Sequence, residues 1–257
     1  APYVTAITTD LANNDYVREG DTVGLLVTFS ETVTATGTPR LQLLLDGGAT
    51  ASAGYTGQTA PDTLRFDYVV GSGHMATPLA RVQDGLLFPT GSSIIDEDNN
   101  TADPTGLPPI DESIYVDTTA PDLISVSIDT GADATINEAE NDAWVPVTIT
   151  TGTGLFAATS FEASITSGSG TLSDTSGSII GDTASISLQA SASGTIAVTV
   201  TVYDDAGNSD TMTSALTAVD IDPPAISSLE IDDGADDTIN IVENGTLGIP
   251  QVPVNVT

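Results

Sequence analysis

The chain has no cysteine. That excludes disulfide staples and thiol chemistry, so any core must hold by burial alone. Lysine and arginine together number 4 against 36 acidic residues, a formal net charge of −32. Such a surface will not bind nucleic acid or an anionic membrane by charge, and it repels itself unless cations screen or bind it. The single histidine is His74, in a Gly-Ser-Gly-His-Met context. Zinc and iron sites want clusters of His or Cys, which are missing. A Ser-His-Asp arrangement would need His74 held in a pocket; a solvent loop is the expectation. Aromatics are 5% of residues, too few for a stripe that stacks sugars. Trp144, just ahead of a strand, is expected to cap a core edge. Gly71-Ser72-Gly73 is followed by neither lysine nor a helix start and is no phosphate loop. No apolar run approaches a membrane span, and no signal peptide is present. Ala1 is therefore expected to be a mature or cut end. Carboxylates are abundant, but nothing singles out a glycosidase-like pair, and an enzyme is not expected.

What is present is enough for packed cores: 39% apolar residues and a mean hydropathy of +0.11. Thr, Ser, Gly, Asp and Val are abundant and Lys is absent, which suits an extracellular repeat protein in salty, calcium-containing water. The apolar residues alternate. Val23, Leu25, Val27 and Phe29 have period 2, the spacing of a strand with one buried face. Leu41, Leu43 and Leu45 follow, ended by the hairpin signal Asp46-Gly47-Gly48. Leu64, Phe66, Tyr68 and Val70 form a third run, with Arg65 and Asp67 facing out. Leu86-Leu87-Phe88, Ser93-Ile94-Ile95 and Ser113 to Val116 complete that set. Beyond it, Val145, Val147 and Ile149 alternate. So do Ala184 to Ala190 and Ile196 to Val202. No stretch shows a convincing helical period.

The chain also repeats. Asp117-Thr118-Thr119-Ala120-Pro121-Asp122 returns as Asp220-Ile221-Asp222-Pro223-Pro224. Ile128-Asp129-Thr130-Gly131-Ala132-Asp133 returns as Ile231-Asp232-Asp233-Gly234-Ala235-Asp236. One offset, about 100 residues, relates both pairs, and that is the length of one β-sandwich. Proline at each seam fixes φ and cannot continue a ladder. The predicted organisation is a sandwich over 1–116, a second over 117–220, and an incomplete third repeat over 221–257. Within the last, Ile226 to Ile231 and Ile249 to Val256 are candidate strands, too few for a self-sufficient fold.

The stretch Val27-Thr28-Phe29-Ser30-Glu31-Thr32-Val33-Thr34-Ala35-Thr36-Gly37-Thr38-Pro39, the seam Val116 to Pro121, and Tyr203-Asp204-Asp205-Ala206-Gly207-Asn208 carry a resemblance. The chain resembles the bacterial immunoglobulin-like tandem repeats of giant secreted adhesins of the repeats-in-toxin type, which are cadherin-like, calcium-stiffened modules. The resemblance implies an all-β fold of tandem immunoglobulin-like β-sandwich domains in a head-to-tail array, with calcium at the junctions. The first module departs from the pattern: Asp96-Glu97-Asp98-Asn99-Asn100 stands where the family has Asp-x-Ala-Gly-Asn.

The acid distribution points the same way. Calcium takes roughly 6–8 oxygens from carboxylates, carbonyls and Asn. In a sandwich, the loop between the last two strands lies near the domain's own N-terminus. That puts Asp204, Asp205 and Asn208 beside the seam residues Asp117 and Asp122, with Glu19 approaching from the first module. The parallel set at the next seam is Asp129, Asp133, Glu138 or Glu140, Asp220 and Asp222. Asp96, Asp98 and Asn100 have spacing for a further loop site. Solvated acidic loops that only confer solubility are the plain alternative. The expected role is structural: extracellular, cell-surface extender modules of an adhesin, whose partners are neighbouring modules or identical subunits. A filament or surface-layer subunit completed by strand donation is the alternative, and a carbohydrate-binding module of a secreted hydrolase is a third reading.

Overall fold

The computed structural model describes residues 1–231 and 254–256. The chain is all-β. From the amino end run β1 (Val4–Thr9), β2 (Tyr16–Val17), β3 (Thr22–Phe29), β4 (Thr34–Thr36), β5 (Arg40–Leu44), β6 (Thr50–Ala60), β7 (Thr63–Val69), β8 (Ala80–Leu87), β9 (Ser93–Ile95) and β10 (Tyr115–Val116). Six of them form one sheet in the order β1-β3-β7-β6-β5-β8. Two short ladders, β2 with β10 and β4 with β9, join the same core through Val17, Val116 and Ile94. The period-2 reading places the core correctly: Val23, Leu25, Val27, Phe29, Leu41, Leu43, Leu64, Phe66 and Tyr68 are all buried. On the opposite face Arg65 lies between Asp10 and Asp67, 2.7 Å from each. Gly24 makes that possible, because a Cβ there would collide with the guanidinium.

The next stretch gives β11 (Leu123–Ile128), β12 (Thr135–Asn137), α1 (Glu138–Asp142), β13 (Val145–Thr151), β14 (Ser160–Ser167), β15 (Gly170–Leu172), β16 (Ser176–Ser178), β17 (Thr183–Ala190), β18 (Gly194–Tyr203), β19 (Ser209–Thr213) and β20 (Thr217–Asp220). One sheet is ordered β11-β13-β17-β15 and the other β12-β20-β18-β14-β16, with β19 also on β18. The opening strands thus lie on one sheet and the closing hairpin on the other, the immunoglobulin-like division. A second hydrophobic cluster, from Leu123 to Val219, fills the space between them. The outer face of β14, β18 and β19 carries threonine hydroxyl pairs, Thr166–Thr199, Thr199–Thr213 and Thr201–Thr211, at 2.7–2.9 Å. Cross-strand pairs of this kind support a solvated sheet face.

Two short strands follow, β21 (Leu229–Ile231) and β22 (Val254–Val256), paired antiparallel with Leu229 opposite Val256. Of the expected strand from Ile249 to Val256, the part before Val254 lies outside the described residues. Helix α1 corrects the expectation of no helix. Its five residues are too few to show a period. Its signature is instead a capping box: Asn137 accepts from the Glu140 amide and Glu140 accepts from the Asn137 amide, both at 3.1 Å.

Candidate metal centre at the seam

Strand β10 runs parallel to β2, and Asp117 extends that pairing by donating its amide to the Val17 carbonyl at 2.9 Å. The next residues stay fastened to the first core. The Thr118 hydroxyl donates to the His74 carbonyl at 3.1 Å, and the Thr119 amide donates to Asp117 Oδ1 at 2.9 Å. Pro121 is buried, and β11 opens at Leu123. So the seam is ordered on its first-core side by hydrogen bonds, and its proline stops any continued ladder.

From the second core, the β18–β19 turn meets it. Asp204 is the pivot of this turn. Its carboxylate accepts from the Asn208 amide at 2.9 Å and from Asn208 Nδ2 at 3.0 Å. Gly207 adopts φ +81°, which favours glycine. Asn208 Nδ2 then donates to the Asp117 carbonyl at 3.0 Å, crossing the seam. A second crossing comes from Arg18, whose Nη1 donates to the Gly207 carbonyl. Tyr16 stacks on Tyr115 at 4.9 Å and meets Phe156 edge-on at 6.5 Å.

The chemistry of the seam lies in Asp117. The residue is 0% exposed, and Asp204 is 5% exposed. Among the described residues, no donor reaches Asp117 Oδ2, whose polar neighbour is the Asp204 carboxyl. Burial pushes the Asp117 carboxyl above its ordinary range, the Thr119 amide pulls it back, and the Asp204 carboxylate raises it again. A buried carboxylate oxygen without a donor is costly, and such an atom in a native fold calls for an ion or water. Two carboxylates are hard oxygen donors of the kind calcium takes. The residues present therefore fit a divalent cation between Asp117 and Asp204. Among the described residues, no group of three or more His, Cys, Asp or Glu side chains is placed to hold a metal. The remaining oxygens of such a site would have to be carbonyl, hydroxyl or water.

Of the sequence-predicted ligands, Asp117, Asp204 and Asn208 come together. Asp205 is exposed beside Tyr16, whose hydroxyl is pushed up by burial and then by that carboxylate. Asp122 is exposed and turned toward Gly152, which donates to its carbonyl at 2.8 Å. Glu19 is exposed, and its neighbour Arg18 makes the seam contact instead. The second set is spent on local turns. Asp129 accepts from the Gly131 amide and Asp133 from the Thr135 amide, both at 3.0 Å. Glu138 sits in the first turn of α1, and Asp220 and Asp222 are exposed. Asp96 folds onto Asn100, and Asp98 is exposed.

Two further expectations change. His74 is not a free loop residue. Its Nδ1 accepts from the Gly71 amide at 3.1 Å and lies 2.8 Å from the Tyr68 hydroxyl, over which the ring stacks. Trp144 does not cap the core. It is 36% exposed with φ +66°, at the mouth of a hollow shared with Asp129, Glu140 and Pro146. The turn after α1 turns it outward. Arg18 is the seam residue that sequence reasoning missed; its signal was rarity, as one of 4 basic side chains.

No protein-family model matches the chain, and a search of curated proteins finds no match either. Among solved structures it is similar to the adhesin InvE of Yersinia pseudotuberculosis, with 16% identity, a TM-score of 0.32, and coverage of 91% of this chain and 62% of that one. It is also similar to a Ca2+-stabilized adhesin that helps an Antarctic bacterium reach out and bind ice, with 17% identity, a TM-score of 0.42, and coverage of 91% and 53%. A third is a DUF4785 family protein of Legionella pneumophila, with 7% identity, a TM-score of 0.27, and coverage of 82% and 56%. The chain spans 53–62% of the length of these proteins. Among the described residues, no helix is long and apolar enough to cross a membrane.

Proposed function

We propose that the chain is a run of structural extender modules from a large secreted bacterial cell-surface adhesin, stiffened by calcium where modules meet. The modules are 1–116, 117–220 and a third repeat starting at 221. The observation that supports this reading best is the buried, unpartnered Asp117 oxygen beside Asp204, at the contact between two cores. Two carboxylates about 4 Å apart repel by about 1 kcal/mol in bulk water and about 4 kcal/mol at an effective dielectric near 20. Left alone, that repulsion loosens the seam against the pull of its Asn208 and Arg18 hydrogen bonds. A bound calcium ion supplies the opposing charge and the missing coordination. Asn208, Arg18 and the Asp117 main chain set the direction in which the modules point. The role is mechanical, with the extended array carrying a binding function outward.

The test is calorimetric titration of calcium into the wild type, Asp117→Ala, Asp204→Ala and the double variant. Each single variant should lose or weaken the same site, with no further loss in the double. Independent, additive losses would assign the two residues to different sites. Scattering with and without chelator should show a change in maximum dimension.

A second reading, a self-assembling filament, is favoured by β21 and β22, which among the described residues pair only with each other. A lone pair of strands is marginal in water and keeps open edges. Deleting 245–257 separates the two: polymers that survive the deletion remove strand donation.

A further inference from the structure

The loop at Asp96–Asn100 shares only its first and last residue types with Asp204–Asn208, yet the two are built alike. In each, the first residue's amide donates to the last residue's carbonyl at 3.1 Å. The fourth residue's amide returns to the first residue's carbonyl, again at 3.1 Å, from a left-handed conformation: Asn99 at φ +64°, Gly207 at φ +81°. The closing asparagine binds the aspartate twice, by its amide at 2.7 and 2.9 Å and by Nδ2 at 2.8 and 3.0 Å. Asp96 is 7% exposed and Asp204 is 5% exposed. The setting matches too. The Ser30 amide donates to the Tyr3 carbonyl at 2.9 Å as the Gly152 amide does to Asp122 at 2.8 Å. Val4 and Leu123 open equivalent, equally bulged strands, so Ala1-Pro2 stands in the register of Ala120-Pro121.

The difference is occupancy. At the second loop, Asn208 spends its other amide hydrogen on the Asp117 carbonyl. At the first, among the described residues, Asn100 donates Nδ2 only to Asp96, and an amide nitrogen has two hydrogens to give. Beside it lies a hollow of about 250 Å³ lined by Glu31, Thr32, Asp96, Glu97 and Asp98.

We propose that the Asp96–Asn100 loop is a receiving surface for the end of another module of this kind. The fitting partner is an extended apolar-Asp-Thr-Thr segment leading into Ala1-Pro2. Its aspartate carbonyl accepts from Asn100, and its carboxylate lies against Asp96. The geometry comes from the seam already described, but docking through Asn100 does not need a cation.

The test extends the full chain with Val-Asp-Thr-Thr ahead of Ala1 and follows the Asn100 side-chain amide by NMR in chelator, with Asn208 as internal reference. The Asn100 resonances should move toward those of Asn208, and an Asn100→Ala variant should leave the extension mobile. The same extension with Asn for Asp should still dock through its main chain. An extension that stays mobile, with Asn100 unmoved in the otherwise wild-type chain, overturns the proposal. Calcium titration keeps the two readings apart. Docking with one extra cation per chain supports both, and docking without it supports this surface while counting against the seam cation.

Discussion

Replacing Asp117 by Asn should change stability in opposite directions with and without calcium. In chelator the wild type buries two neighbouring carboxylates and leaves Asp117 Oδ2 without a donor. Asn removes one charge and offers an amide hydrogen to Asp204. A hydrogen bond to a charged group contributes about 1.5–3 kcal/mol, and the relieved repulsion adds to it. A net gain of about 2 kcal/mol is expected, roughly 8–16 °C in the midpoint of a module of about 100 residues. In calcium the order reverses. A cation at roughly a hundredfold excess over its Kd stabilises the wild type by about 2.7 kcal/mol, and the Asp117→Asn variant forfeits most of that. Thermal unfolding of both proteins, each in calcium and in chelator, supplies the comparison. Identical calcium responses in the two proteins would refute the reasoning. So would a loss of stability in chelator. Acid sharpens the comparison. Burial holds the Asp117 carboxyl above its ordinary range, so its folded value exceeds its unfolded one. The favourable contribution is then full below the unfolded value and is lost as pH rises through the folded one. In chelator, the wild type should therefore gain on the Asn variant as pH falls into the carboxylate range.

Arg18→Ala removes the hydrogen bond that ties the first module to the β18–β19 turn at Gly207. It should widen the distribution of inter-module angles in small-angle scattering while changing stability by less than about 1 kcal/mol, as exposed charged contacts do. An unchanged distribution would reduce Arg18 to a bystander. Gly168→Ala places a side chain at φ +78° and drives its Cβ against the Thr195 carbonyl. It should cost about 1–3 kcal/mol in urea unfolding, and no change would mean the turn before β15 refolds freely. Burial pushes the Tyr68 hydroxyl up to about 12. Its stabilising contribution is full below about 10, the ordinary tyrosine value, and is lost as pH rises toward 12. Ultraviolet titration should show one tyrosine ionising last, together with unfolding; Tyr68→Phe should remove that step.

The sequence by itself determined the strands that carry an apolar period of 2, though not β6, whose Thr, Ala, Ser and Gly residues show none. Period-2 runs such as Val23 to Phe29 and Ile196 to Val202 bury alternate residues wherever the chain folds, because successive side chains on a strand point to opposite faces. Repeated Asp-Pro seams likewise mark where a ladder must stop, since proline has no amide to give. The placement of Asp204 and Asn208 beside Asp117 also followed from strand order alone. Tertiary structure decided the rest. Asp117 and Asp220 hold matching positions in the repeat, yet one is wholly buried and the other exposed. The β18–β19 turn lies over the first through Asn208. Asp96-Glu97-Asp98-Asn99-Asn100 reads as a departure from Asp-x-Ala-Gly-Asn, yet it folds into the same loop. Its first carboxylate and last amide make the bonds, and asparagine tolerates the left-handed conformation that glycine supplies elsewhere. Of the many acids, most cap their own turns, because a carboxylate accepts the nearest free amide in its own loop. Which one is left buried and unpartnered depends on what packs over it, and that is set by segments 91 residues apart, Asp117 and Asn208, meeting in space.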